Sequence, residues 1–190
     1  MARTTTAAVR ATILVALACA SATSRASADP AGTDYAWPNL ADFLQRLIAT
    51  VGPPVKVYKL SIDRDGKVDL WIQDRAHPDL VDSWEYDRGR IDGPIPVKFD
   101  HYPSVAALDH HVIELTTIDF PRLPAMLATA RTKLGLPDAR VVSIELERGD
   151  SSGFISVTDT PIWTIAVDTP RHDGRVEFDL QGRVLDVDKD

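Results

Sequence analysis

Cysteine is almost absent from this chain of 190 residues, since Cys19 is its only one. A single cysteine so close to the N-terminus excludes a disulfide framework and a cysteine-ligated metal site in the rest of the chain. No glycine-rich phosphate loop or dinucleotide fingerprint is present either. After residue 28, no run approaches the roughly 20 apolar residues of a membrane-spanning helix. The sequence therefore indicates no cofactor and no membrane insertion once the N-terminal segment is removed.

Positive charge is also scarce. The chain has 21 basic and 28 acidic residues, a formal net charge of −7. Three of the basic residues (Arg3, Arg10 and Arg25) and none of the acidic ones lie in residues 1–28, so the remainder carries −10. An acidic surface repels nucleic acid and anionic lipid. The composition excludes a nucleic-acid partner and favours a basic or neutral one.

Residues 1–28 have the layout of a secretory signal peptide. Arg3 and Arg10 precede the apolar run "ATILVALACA", and Ala26-Ser27-Ala28 is a small-x-small cleavage site. In this interpretation Cys19 is one of the apolar residues of the signal peptide. The alternative is that Cys19 carries a lipid anchor. We expect a periplasmic or secreted protein.

Two similar phrases divide the rest of the chain. "SWEYDRGRI" (83–91) and "RVEFDLQGRVLDV" (175–187) both place an aromatic residue between Glu and Asp and follow it with Gly-Arg. Such a pattern is typical of a strand, a glycine turn and a second strand. We interpret the two phrases as the closing hairpins of two repeated units. The predicted segments are a linker (29–37), a first unit (38–98), a connecting segment (99–118) and a second unit (119–190).

Each predicted unit begins with a helix. Asn39 is a candidate N-cap for an amphipathic helix that Gly52 and two prolines end, and Asp65-Gly66 then predicts a hairpin. Asp119 is a candidate cap for a second helix, with Pro121 in its first turn, and Gly135 ends that helix. The fold class expected is α+β, with two tandem units that each pack one helix on a small antiparallel sheet of about four strands.

The second closing phrase resembles the end of a PepSY domain, in which an Asp-x-x-Gly-x-Val turn leads into a final strand. Asp179, Gly182 and Val184 occupy these places, and Asp87, Gly89 and Ile91 are similar in the first unit with one residue fewer. Two such units in one exported chain are similar to the architecture of the β-lactamase inhibitor protein. The resemblance implies a non-enzymatic exported module, for which binding to or inhibition of another protein is the expected role.

Three stretches are candidates for chemistry. "GDSSG" (149–153) matches the nucleophile elbow of serine hydrolases at Ser151, but strand-like runs flank it where an elbow needs a helix. "DHHVIEL" (109–115) offers His110, His111 and Glu114 to a metal-dependent enzyme, with His101 nearby, although the spacing matches no known zinc motif. "DRDGKVD" (63–69) faintly resembles a calcium loop, but its glycine falls too early.

The tryptophans and tyrosines suggest binding instead. Alternation in "KVDLWIQD" places Trp71 on the more polar face of its strand, opposite Val68, Leu70 and Ile72. Aromatic residues on a polar sheet face are typical anchors of protein recognition. The candidate binding residues are Trp71 first, then Trp84, Tyr86 and Trp163. We expect a non-enzymatic binding or inhibitory module; a small-ligand carrier with a cavity between the units is the alternative.

Overall fold

A computed structural model describes residues 39–99, 105–148 and 160–190. The predicted signal peptide, His101 and the Ser151 motif lie outside the described residues. The helices are α1 (Leu40–Val51), α2 (Val105–His111) and α3 (Leu123–Leu134), and short 3₁₀ turns cover Leu115–Thr117 and Phe120–Arg122. The strands are β1 (Lys56–Asp63), β2 (Val68–Gln73), β3 (Val81–Asp87), β4 (Arg90–Pro96), β5 (Ile113–Glu114), β6 (Arg140–Arg148), β7 (Pro161–Asp168), β8 (Asp173–Asp179) and β9 (Val184–Lys189).

All nine strands belong to one antiparallel sheet. Eight of them follow the order β4-β3-β2-β1-β6-β7-β8-β9, and β5 pairs with β1. The α+β class is therefore confirmed. The sheet is continuous where the sequence predicted two small ones, because β1 pairs directly with β6 from Lys59 opposite Glu147 to Asp63 opposite Ser143. A free strand edge leaves backbone N–H and C=O groups unpaired. The pairing of β1 with β6 satisfies these groups on the facing edges of both strands.

Helix α1 begins and ends where the sequence predicts. The side chain of Asn39 accepts a hydrogen bond from the backbone N–H of Asp42 at 3.2 Å, as an N-cap does. Gly52 ends the helix at a φ of 82°, with its N–H donated to the carbonyl of Ile48 at 2.9 Å. Phe43 and Leu47 are buried on the inner side of the helix.

Helix α3 begins later than expected. Phe120–Arg122 forms a 3₁₀ turn, and the α-helix starts at Leu123. Asp119 makes no side-chain capping bond, since its carboxylate instead accepts a hydrogen bond from Nε of Arg122 at 2.7 Å. The prediction that Asp119 caps α3 was therefore wrong. Gly135 ends the helix in the left-handed conformation, as predicted.

The main core lies between the sheet and the two long helices. It runs without interruption from Phe43 on α1 to Phe178 on β8. Aromatic rings link the two halves of the sheet: Phe43 is edge-on to Phe120 at 6.3 Å, and Phe120 is edge-on to Trp163 at 6.0 Å. The two halves therefore share one hydrophobic core.

Both closing phrases form hairpins. Arg88 and Gly89, at φ values of 48° and 84°, make the turn between β3 and β4. In the second hairpin the carboxylate of Asp179 accepts backbone hydrogen bonds from Gln181 at 2.9 Å and Arg183 at 2.8 Å. None of the helices in the described ranges is long and apolar enough to cross a membrane.

Candidate functional site

Two of the predicted binding residues lie inside the main core. Trp163 is 1% exposed, on the side of β7 that faces α3, with Ile165 and Val167. Tyr86 is 4% exposed, and its hydroxyl donates a hydrogen bond to Oδ2 of Asp42 at 3.0 Å. Burial and this hydrogen bond raise the pKa of Tyr86. Neither side chain offers surface to a partner, so the expectation that they contact one disagrees with the structure.

Trp84 also lies on the helix side of the sheet, but it is only half-buried. It packs at the margin of the main core beside the edge strand β4. A Cβ atom added at Gly93 would lie 2.8 Å from Cδ2 and Cε3 of the indole. The backbone of β4 therefore lies directly against the ring.

Trp71 lies on the opposite side of the sheet, as the alternation predicts. We call this side, which faces away from α1 and α3, the open face. The indole of Trp71 stacks on Tyr58 with ring centres 6.1 Å apart and 17° between planes, and Phe99 meets it edge-on at 6.1 Å. Leu108 of α2 is buried in the same group. Trp71 is therefore half-buried in a second, smaller hydrophobic cluster that we call the aromatic cluster (Tyr58, Trp71 and Phe99).

A row of carboxylates crosses the open face beside Trp71. Strand register places eight residues side by side, one from each of the eight long strands, and six of them are acidic. Residues paired across antiparallel strands share one face of the sheet. We call this line the acidic row; from β4 to β9 it contains Asp92, Glu85, Asp69, Ser61, Glu145, Thr164, Glu177 and Asp186.

Lysines border the acidic row on both sides. Lys67 lies 2.9 Å from Glu85 and 3.3 Å from Asp69, and Lys59 lies 3.1 Å from Glu145. Although burial opposes it, the hydrogen bond and charge of Glu145 raise the pKa of Lys59. The hydrogen bond that Lys67 donates to Glu85 raises the pKa of Lys67.

The open face keeps an excess of negative charge. Further ion pairs join Arg90 to Asp92 at 2.6 Å and Arg175 to Asp188 at 3.3 Å. Glu147, in the line of residues next to the acidic row, adds a second acid near Lys59 at 3.8 Å. The four cations Lys59, Lys67, Arg90 and Arg175 thus lie among eight acids, the six of the row with Glu147 and Asp188. The same strand pairing adds one cation, Arg140, and four acids, Asp63, Asp87, Asp168 and Asp173. The surface suits a positively charged partner.

The structure does not assemble the histidine candidates into a metal site. His111 lies edge-on to Tyr58 at 6.3 Å, and Glu114 accepts a hydrogen bond from the hydroxyl of Thr116 at 2.8 Å. Asp109 pairs with Lys56 at 2.9 Å and accepts from Gln73 at 3.1 Å. Within the part of the chain that the structure describes, no three His, Cys, Asp or Glu side chains are grouped to hold a metal ion.

The open face was missed from the sequence as a charged surface. Acids at alternate positions within each strand were visible, for example Glu145 and Glu147. Their alignment into one row depends on which strands pair and in what register, and the sequence does not state that.

Comparison with known proteins adds support for the fold. No family model matches the chain, and no curated protein matches it. The chain is similar to the crystal structure of a protein described as a "putative lipoprotein" from Clostridium difficile 630, with a TM-score of 0.57 and 16% identity. The match covers 84% of this chain and 97% of the other. At this identity the likeness shows a shared fold.

Proposed function

We propose that this protein is an exported, non-enzymatic binding module that holds a basic surface of another protein against its open face. The N-terminal segment supports export, because it has the basic, apolar and small-residue order of a signal peptide. The structurally similar chain is described as a "putative lipoprotein", which agrees with a location outside the cytoplasm.

The acidic row carries the proposal. An ordinary solvent-facing sheet alternates charges of both signs between neighbouring strands, because like charges directly opposite each other are destabilising. Here Glu85 lies opposite both Asp69 and Asp92, and Glu177 lies opposite Asp186. Lys67 and Arg90 offset part of this repulsion, and a partner that brings its own positive charge relieves it further.

The aromatic cluster supplies an apolar border to this surface. Trp71 and Asp69 are alternate residues of β2 and share the open face. Trp71 pairs with Ser83 of β3, and Ser83 pairs with Ile95 of β4. Ile95 is 65% exposed. Aromatic and apolar side chains beside charged ones are the usual composition of a protein-binding patch. We therefore place the edge of the contact at Trp71 and Ile95.

We also propose that the two halves are PepSY-like units that arose by duplication. A helix precedes four sequential strands twice, first α1 with β1–β4 and then α3 with β6–β9. From the β1–β6 pair, the strands continue in chain order toward both edges of the sheet, as β2, β3 and β4 on one side and as β7, β8 and β9 on the other. This arrangement supports a binding role for the open face, because both units contribute strands to it.

Neutralisation of the row tests the proposal. A variant with Asp69→Asn, Glu85→Gln, Glu145→Gln and Glu177→Gln removes four charges with little change of shape. Used as bait in native extract of the source organism, the wild type should capture a basic protein whose binding weakens with salt. The row variant should bind that same protein at least about tenfold more weakly, since steering and pairing charges are both lost.

A second variant controls for net charge. Asp79→Asn, Asp119→Asn, Asp138→Asn and Asp190→Asn remove the same number of charges at exposed positions that lie in none of the strands. The control variant should bind like the wild type. Equal weakening in both variants would show that only the overall charge matters, and unchanged binding by the row variant would refute the proposed face.

A further inference from the structure

A groove opens on the α1 side of the sheet, away from the open face. It has a volume of about 490 Å³ and lies between the end of α1, the connection from β2 to β3, and the edge strand β4. Small-molecule sites commonly have volumes of about 300–1,000 Å³. The groove is lined by Thr50, Val51, Ile72, Gln73, Asp74, Arg75, Ala76, Asp82, Trp84 and Pro94.

One wall of the groove is aromatic. Trp84 lines it as a half-buried side chain. The close approach of Gly93 fixes the indole, since even a Cβ atom there would lie 2.8 Å from the ring. A fixed indole has a negative π face that attracts cations.

Two carboxylates lie in the same groove with different surroundings. Asp74 accepts hydrogen bonds from the backbone N–H groups of Ala76 at 2.6 Å and His77 at 3.1 Å. Although burial opposes it, these bonds lower the pKa of Asp74. The carboxylate of Asp82 has no hydrogen bond or ion pair with any residue in the described ranges, and burial together with the charge of Asp74 raises its pKa.

The arginine that lines the groove does not pair with Asp82. The guanidinium of Arg75 lies over Gly52, where a Cβ atom would be 2.5 Å from Nη1. That position is at the C-terminal end of α1, where the helix dipole favours a positive charge. Arg75 forms no ion pair with Asp74 or Asp82 within the described residues, so the groove keeps a carboxylate without a partner.

We infer that this groove binds an organic cation, a guanidinium or alkylammonium group, between the indole of Trp84 and the carboxylate of Asp82. The indole face and the carboxylate are the two groups that a desolvated cation needs. The apolar residues Val51, Ile72 and Pro94 accommodate the carbon chain that bears the cation. The cation is either a free small molecule or a side chain of a peptide, and both present the same chemistry.

Titration with paired probes tests the inference. The probes are acetyl-Gly-Arg-Gly-amide, the same peptide with neutral citrulline in place of Arg, and free butylguanidinium. The indole N–H resonance of Trp84, assigned by comparison with Trp84→Phe, should shift with the Arg peptide and not with the citrulline peptide. Tighter binding of the Arg peptide than of butylguanidinium indicates that the groove binds an arginine side chain of a peptide. Equal binding indicates that it binds a free small-molecule cation.

Asp82→Asn separates function from folding. It should weaken binding of the Arg peptide about tenfold, because the cation loses its charged partner; a factor of ten corresponds to about 1.4 kcal/mol. It should also raise the melting temperature, because it removes a partly buried charge beside Asp74. Asp79→Asn, an equal charge change on an exposed neighbour, should alter neither.

Three results would overturn the inference. They are equal binding of the Arg and citrulline peptides, undiminished binding by Asp82→Asn, and no response of Trp84 to any cation at millimolar concentration. The inference stands apart from the proposed function, since the acidic-row variant should bind the Arg peptide like the wild type.

Discussion

Trp163 offers the sharpest test of the shared core. Its indole is 1% exposed in the second half of the sheet, and it meets Phe120, which in turn meets Phe43 of α1. Replacement of Trp163 by Ala should therefore destabilise both halves together. If Trp163 were instead a surface anchor, its removal would leave the stability of the fold nearly unchanged.

The expected size follows from burial. Truncation of a fully buried tryptophan to alanine costs about 3–5 kcal/mol, including the cavity that remains. Domains of this kind have a total free energy of unfolding of about 5–15 kcal/mol. Trp71→Ala on the open face should cost less, about 1–2 kcal/mol, because Trp71 is half-buried and loses mainly its contacts with Tyr58 and Phe99.

Urea unfolding followed by circular dichroism measures both variants. With a slope of about 2 kcal/mol per molar urea, Trp163→Ala should lower the midpoint by about 2 M and Trp71→Ala by less than about 1 M. Hydrogen exchange should show faster opening of β2 and β8 to the same extent in Trp163→Ala. A loss below about 1 kcal/mol, or faster exchange confined to the second half, would refute the shared core.

Two further predictions concern single contacts in the second half. Gly174→Ala should cost about 1–3 kcal/mol in thermal unfolding, because the new Cβ would lie 2.7 Å from Cδ2 of Leu134 and 2.9 Å from the carbonyl oxygen of Asp188; unchanged stability would contradict this close packing. Asp179 has a lowered pKa because hydrogen bonds and the charge of Arg183 outweigh its burial. Its stabilising effect is thus complete above the unfolded pKa and is lost as the pH falls through the folded value. Asp179→Asn should therefore flatten the acid limb of a stability–pH profile below about pH 4, and a limb as steep as the wild type's would show that the ion pair contributes nothing.

Local signals in the sequence predicted most of the elements. Asn39 and Gly52 bound α1 because capping depends on a few neighbouring residues. Asp65-Gly66 predicted the β1–β2 hairpin for the same reason, with Gly66 at a φ of 79°. Alternation also placed Trp71 on the open face correctly.

Non-local pairing accounts for what the sequence left unsettled. The pairing between β1 and β6 joins residues 80 to 88 positions apart, so the single sheet was not visible as a pattern. The face of β7 was ambiguous because Trp163 and Ile162 are both apolar neighbours, and only the contact with Phe120 decides which is inside. The acidic row likewise arises from the register of eight strands.

Carboxyl footprinting of the complex tests the central claim most directly. The captured basic protein is mixed with the wild type, and exposed carboxylates are labelled with carbodiimide and an amine in the free and bound states. We predict that Asp69, Glu85 and Glu177 lose reactivity on binding, whereas Asp119 and Asp138 keep theirs. Protection of Asp119 and Asp138 with undiminished labelling of the acidic row would contradict the account.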